Sequence, residues 1–269
     1  MKILFLCDID GTLVNGHFMS EKIKSRVEEF TAKGNLFTLA TGRNAFAMKW
    51  LCRELPINAP CILLAGAAQY DPIEDKLLHL KAMPEDTAAS LKEMYDAYPD
   101  MTIQVFTDAG LTNLRYGPFM QANGIPEERA MGEGPASELE GRKILKIGLT
   151  NEKVEQIPEA IGRWFGNKKY YDWHMSFVIG AEIVNPDASK GRSVEEILAD
   201  MDEKPDLIAA AGDSPNDLPL FETADICFAP EDAFQEIKDK ADYIIPTAND
   251  GGIADAIDIL IKKYCQGEK

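Results

Sequence analysis

An α/β fold, a Rossmann-like parallel-sheet core with an inserted α+β domain, is predicted by three features of the sequence. The chain opens on a short apolar run, Ile3 to Cys7, that stops at two carboxylates, Asp8 and Asp10, and a glycine. Strand-like and helix-like segments then alternate as far as Leu64, which is how a parallel sheet covered on both faces reads. From about Met83 the pattern changes to hairpins with interspersed helices, and the strand–helix alternation resumes beyond Asp187.

Ile3 to Cys7 is too short for a helix and apolar throughout, as a buried parallel strand is. Ser20 to Lys33 carries Ile23, Val27 and Phe30 at helical spacing, with Ser20 as its expected N-cap and Gly34 as its end. Leu36 to Ala40 reads as a second strand running into Thr41-Gly42-Arg43. Ala45 to Leu55 follows as a helix stopped before Pro56, and Cys61 to Leu64 as a third strand of the same sheet, ending at Ala65-Gly66. In the inserted part, Glu85 to Tyr98 reads as a helix. Thr102 to Phe106 and Leu111 to Arg115 flank Asp108-Ala-Gly110 as a β-hairpin. Lys143 to Leu149 alternates as a strand, Val154 to Phe165 is helical, and Tyr170 to His174 pairs with Ser176 to Ile179. A helix over Ser193 to Ala199, strands over Asp206 to Ala211, Asp225 to Ala229 and Tyr243 to Ile245, and a helix over Ile253 to Tyr264 complete the chain. The expected domains are a core of 1–82 and 185–269 and an insert of 83–184.

The bulk composition narrows the function. A chain of 269 residues, 45% hydrophobic and 27% charged, has the balance of a globular protein with one large or two modest cores. Its 45 acidic and 28 basic residues give a net charge of −17, a surface that repels nucleic acid and anionic lipid. Neither is expected as a partner, and an anionic small molecule would need local cations to bind. The five cysteines, Cys7, Cys52, Cys61, Cys227 and Cys265, form no metal-binding or disulfide pattern and read as inert thiols. With no leader-like segment and no apolar run near the ~18 residues of a membrane span, a cytoplasmic location is expected.

The chemistry is concentrated where the strands of the core end. Asp8 and Asp10, spaced i and i+2 at the end of a rigid strand, suit a nucleophile and an acid/base. Asp8 would attack phosphorus, and Asp10 would protonate the leaving oxygen and later deprotonate water. Thr41 and Gly42 offer a hydroxyl and a backbone N–H to phosphate oxygens. Arg43 adds a cation that either binds substrate or pairs with a surface acid. Lys190, expected just before a helix N-terminus, is a compact cation suited to steadying Asp8 and a transferring phosphoryl group. Gly212-Asp213-Ser-Pro-Asn216-Asp217 brings a second acidic cluster to a second strand end. Asp213 would bind Mg²⁺ directly or through water, while Asn216 and Asp217 would orient Lys190 or the metal's waters.

Taken together, Asp8-Ile-Asp10-Gly-Thr12, Thr41-Gly42-Arg43, Lys190-Gly191 and Gly212-Asp213-Ser-Pro-Asn216-Asp217 resemble, in order, the four signatures of the haloacid dehalogenase superfamily. The expected branch is the Cof-type phosphatases with a type IIB cap, and the resemblance covers nearly the whole chain. It implies Mg²⁺-dependent hydrolysis of a small phosphorylated metabolite, a sugar phosphate or a phosphorylated cofactor, under a mobile cap. It implies further that the Asp8 carboxylate and the Asp10 backbone carbonyl ligate the metal; Asp213 and Asp217 are expected at the metal with them, and Asn216 with Thr41, Gly42 and Arg43 around the phosphate. One departure is visible: many relatives have Asn-Gly after the third strand, where this chain has Ala65-Gly66. Transfer to an acceptor sugar, as in the phosphomutases of this fold, and a non-catalytic sugar-phosphate sensor are the competing readings. Tyr170 to His174, and His17, are the side chains read either as surface or as substrate contacts.

Overall fold

The computed structural model describes residues 1–16, 18–118, 139, 141–166, 172–177 and 180–265, with 172–177 described by backbone alone. The chain forms two compact units, Met1–His79 with Ser189–Lys269, and Leu80–Ala188.

The first unit is built on a five-stranded, fully parallel sheet. Its strands are β1 (Ile3–Cys7), β2 (Leu36–Leu39), β11 (Leu207–Ala211), β12 (Ile226–Pro230) and β13 (Tyr243–Ile245), in the order β13-β12-β11-β1-β2. Every residue of β1 is buried, because helices cover both of its faces. On one face Phe5 packs edge-on against Phe37 of β2 and Phe30 of α1 (Glu21–Ala32), with ring centroids 5.7 and 6.3 Å away. On the other, Leu4 and Leu6 meet Val194 and Ile197 of α5 (Lys190–Asp200) and Leu220 and Phe221 of α6 (Leu218–Phe221). Each such side chain contributes about 1.5–3 kcal/mol by leaving water. Successive strands run outward from β1 to β2 on one side and from β11 to β13 on the other. The sheet therefore changes direction beside β1, the position at whose carboxyl ends open α/β sheets bind their ligands.

Several expectations are corrected. Ser20 occupies the N-cap position of α1, but its side chain makes no capping hydrogen bond. After α2 (Ala45–Glu54), β3 (Cys61–Leu63) pairs with the parallel sheet through a single bridge, between Ala40 and Ile62. It belongs instead to a small antiparallel sheet with β4 (Ala68–Asp71) and β5 (Lys76–Leu78). The helix carrying Lys190 begins at that residue, because the Ser189 hydroxyl accepts a hydrogen bond from the Arg192 N–H and caps it there. The short helices α6 and α7 (Gln235–Lys238) lie outside the predicted elements, and the last described helix is α8 (Gly252–Tyr264).

The second unit is an antiparallel sheet, β7-β6-β8-β10-β9, built from β6 (Thr102–Thr107), β7 (Gly110–Arg115), β8 (Ile144–Thr150), β9 (Asp172–Phe177) and β10 (Gly180–Val184). Of the segment read as two paired strands, the described residues 172–177 form a single strand, β9, whose partner is β10. The register sets His174 opposite Glu182. Leu91 and Met94 of α3 (Thr87–Ala97) and Ile157 and Ile161 of α4 (Gln156–Phe165) pack with Ile103, Val105, Ile147, Leu149 and Ile183 of the sheet. Alternation sends Lys146 and Glu182 to the opposite face, where they form an ion pair with the Lys146 ammonium over the Phe106 ring.

Candidate active site

Asp8 extends β1 by one residue. Its N–H donates to Ala211 O at 2.9 Å, so a ladder hydrogen bond fixes the backbone that carries its carboxylate. The chain then turns at Gly11, with φ +86°, and a Cβ there would lie 2.7 Å from Asp213 Oδ2. Only glycine permits both that backbone and that approach. The fully buried Thr12 hydroxyl, on the same turn, donates to Asp213 Oδ1 at 2.9 Å.

Asp213 and Asp217 come from the turn that follows β11. A Cβ on Gly212 would sit 2.4 Å from Asp217 Cγ, so the missing side chain lets Asp217 fold back over the strand end. Asp217 Oδ2 accepts the Asp213 and Ser214 N–H groups, both at 3.1 Å. This caps the tight turn Pro215–Asp217 and fixes the carboxylate.

Lys190 is the first residue of α5, and its side chain is 0% exposed. Its ammonium donates to Asp8 Oδ1 at 2.7 Å and Asp217 Oδ1 at 2.5 Å, with Asn216 Oδ1 at 3.5 Å. Burial lowers its pKa, but Asp217 and Asp8 outweigh that and hold it above the ordinary lysine value. Burial pushes the Asp8 carboxyl well above the usual range; Lys190 opposes this, while Asp217 and Asp213 reinforce it. Asp213 is raised to about 6 by burial and by the charge of Asp217. Burial and the charge of Asp8 also push the neighbouring Cys7 thiol up, which keeps it protonated and un-nucleophilic.

Asp8, Asp213 and Asp217 each bring a carboxylate oxygen within 4.8 Å of the others. Three carboxylates against the single ammonium of Lys190 leave two negative charges in a largely buried cluster. Asp8 Oδ2 and Asp213 Oδ2 accept no hydrogen bond from the described residues. A hard divalent cation fits both the charge and the all-oxygen donor set. Asp217, by contrast, has both oxygens engaged by protein donors.

Asp10 stands apart, its side chain 58% exposed and paired with Arg43. The guanidinium grips both carboxylate oxygens, Nε to Oδ2 at 2.8 Å and Nη2 to Oδ1 at 2.5 Å. Of the two roles open to Arg43, the structure shows pairing with an acid. The Thr41 hydroxyl accepts the Arg43 N–H at 3.1 Å, and Thr41 O and Arg43 O accept the N–H groups of Ala65 and Leu64. Leu64, Ala65 and Gly66 all have positive φ, of 52°, 57° and 99°.

Thus Asp8, Lys190, Asp213, Asn216 and Asp217 come together, as do Thr41 and Arg43 with Asp10. Thr12 and Ser214 were not singled out as site residues. Their signal is a hydroxyl inside the first and fourth signatures, on the turns that also carry the acids. His17, Tyr170 and Tyr171 lie outside the described residues, as do the side chains of Asp172, Trp173 and His174.

Residues 5–257 match the model of the family described as haloacid dehalogenase-like hydrolase. A 5-amino-6-(5-phospho-D-ribitylamino)uracil phosphatase of Bacillus subtilis, YwtE, is 25% identical over 94% of this chain and 96% of its own. A haloacid dehalogenase-like hydrolase from Bacteroides thetaiotaomicron superposes with a TM-score of 0.83 at 22% identity, over 97% of this chain and 100% of its own. The subclass IIB sugar phosphatase BT4131 does so with a TM-score of 0.77 at 18% identity, over 96% and 98%.

Proposed function

Because the chain belongs to the haloacid dehalogenase-like hydrolases and is an enzyme of phosphatase type, we propose that it hydrolyses phosphomonoesters through an aspartyl-phosphate on Asp8, with Mg²⁺. The observation that carries this reading is the carboxylate cluster around a single buried ammonium, beside an exposed second acid.

The Asp8 carboxylate attacks phosphorus, the bond from phosphorus to the ester oxygen breaks, and Asp10 gives that oxygen a proton. Asp10 then takes a proton from water as the water oxygen attacks the same phosphorus. The bond to Asp8 breaks, and orthophosphate and the free carboxylate are restored. Lys190 keeps the Asp8 oxygens aimed and offsets the charge of the incoming phosphate, while Asp217 holds Lys190. Thr41, Gly42 and Asn216 line the phosphate side. A divalent cation held by Asp8, Asp213 and the Asp10 carbonyl would screen the repulsion between nucleophile and phosphate, about 4 kcal/mol per charge pair at ~4 Å and an effective dielectric near 20.

Names of relatives that act on a phosphorylated ribityl compound and on sugars support a small sugar-like phosphate as the substrate class. The inserted unit Leu80–Ala188 serves in this reading as the cap. The test is phosphate release from a panel of sugar phosphates, nucleotides and phosphorylated vitamins, with Mg²⁺ or chelator. Release that needs Mg²⁺ and disappears in Asp8→Asn is expected. Folded protein that releases nothing, or an Asp8→Asn variant as active as the parent, would overturn the reading.

A further inference from the structure

Arg43 spends its guanidinium on the protein rather than presenting it to the phosphate side. Nε and Nη2 form a two-pronged fork on Asp10. Nη2 also donates to Gly16 O at 3.3 Å, and Nη1 donates to Ala47 O at 3.4 Å. The backbone of Arg43 is held equally: its N–H donates to the Thr41 hydroxyl and its carbonyl accepts the Leu64 N–H. The arginine is thus anchored to the Gly16 turn, to α2 and to the strand-end loops before it reaches Asp10. Asp10 has no other side-chain partner among the described residues, and its carboxylate is more than half exposed. An exposed aspartate with one anchor would otherwise sample several staggered rotamers.

We infer that Arg43 is a positioning residue, which acts on the reaction by locking the Asp10 carboxylate in one orientation and not by binding the phosphate. This rests on the proposed role of Asp10 as proton donor and acceptor. A planar fork can fix both carboxylate oxygens at once, which a lysine ammonium cannot. Misplacing a reacting group by about 1 Å costs up to ~100-fold in rate, so the effect belongs in turnover. A phosphate-binding arginine would show itself in KM and in affinity for orthophosphate.

The experiment is a double-mutant cycle on the full chain, with p-nitrophenyl phosphate as substrate and Mg²⁺ present. It uses Arg43→Ala, Arg43→Lys, Asp10→Asn and the Asp10→Asn/Arg43→Ala pair. Arg43→Ala is expected to lower kcat by about 10- to 100-fold while leaving KM and the Kd for orthophosphate within about twofold. Arg43→Lys should recover only a small part of that loss. In the Asp10→Asn background, adding Arg43→Ala should change kcat by less than about twofold, since nothing remains to be oriented. Losses that multiply in the double variant overturn the inference, as does an unchanged kcat with raised KM and weakened orthophosphate binding. Circular dichroism identifies any variant that fails to fold, and Arg43→Gln then replaces Arg43→Ala in the same cycle. Parent protein with no turnover would sink the phosphatase reading itself, and this inference with it. An active parent with independent Arg43 and Asp10 effects sinks the inference alone.

Discussion

Two residues carry consequences that can be stated with a sign. Among the described residues Lys190 is the sole cation paired with Asp8 and Asp217, all three being buried. Lys190→Met would leave two buried carboxylates without a counter-charge, a loss of about 3–5 kcal/mol, readable as a lower urea midpoint of the metal-free protein. Asp8→Asn removes a charge from the crowded side and leaves the Lys190–Asp217 pair in place, so its cost should stay below about 1 kcal/mol in the same titration. A Lys190→Met variant as stable as Asp8→Asn would show that the ammonium is not compensating the cluster. Ala65 is the second case. It sits at φ +57° and ψ +28°, a conformation that costs an L-residue with a Cβ about 1–2 kcal/mol. Glycine relieves that cost and gives back about 0.5–1 kcal/mol through the freer unfolded chain. Ala65→Gly should therefore be neutral or slightly stabilising, where alanine to glycine inside a helix loses about 1 kcal/mol. A clear loss of stability would mean that the Ala65 methyl does more in packing than its strained backbone costs.

At the scale of elements, α5 shows what a cap does for a site. Ser189 closes the N-terminus of the helix whose first residue is Lys190. Ser189→Ala should cost about 1 kcal/mol and Ser189→Gly only a few tenths, as read by chemical denaturation. Equal losses for the two would assign the effect to something other than the cap. The same helix marks where the sequence stops being legible. Lys190-Gly191 reads as loop because glycine is a poor helix residue, yet the serine one position earlier starts the helix before that glycine. The strands of the parallel sheet were readable because each is a short, mostly apolar run that stops at polar residues, and two of those ends carry the acids. β4 and β5 were not, since three or four residues of mixed polarity show too little periodicity. β10 begins at a glycine and alternates only briefly, so its pairing with β9 went unseen. The motifs named Asp8, Lys190, Asp213 and Asp217, and with them the contacts of Lys190 to Asp8 and Asp217, but not which acid Arg43 takes. The fork from Arg43 to Asp10 spans 33 positions and exists only once β1 and β2 lie side by side.

For the whole molecule, the net charge of −17 and the acidic cluster make overlapping claims on any added cation. Cations in general will stabilise such a chain by screening, whereas a bound Mg²⁺ acts at one place, so the two must be separated. At about 0.15 M NaCl the Debye length is ~8 Å, and most surface repulsion is already damped. Under those conditions Mg²⁺ at about 100 times its Kd should stabilise the folded state by ~2.7 kcal/mol. That corresponds to roughly 5–10 °C in the melting temperature of a domain of this size. The shift should reverse with chelator and be absent in Asp213→Asn, which loses a ligand while leaving the surface charge nearly unchanged. A scanning calorimetry trace is the natural measurement, because it resolves the transition that moves when the two units melt separately. If Asp213→Asn shifts as far as the parent, the cation is acting on the surface and the cluster is no metal site. If the parent alone shifts, the two uncompensated charges beside Lys190 are where the cation binds, and chelator should then lower phosphate release and melting temperature over the same range of free Mg²⁺.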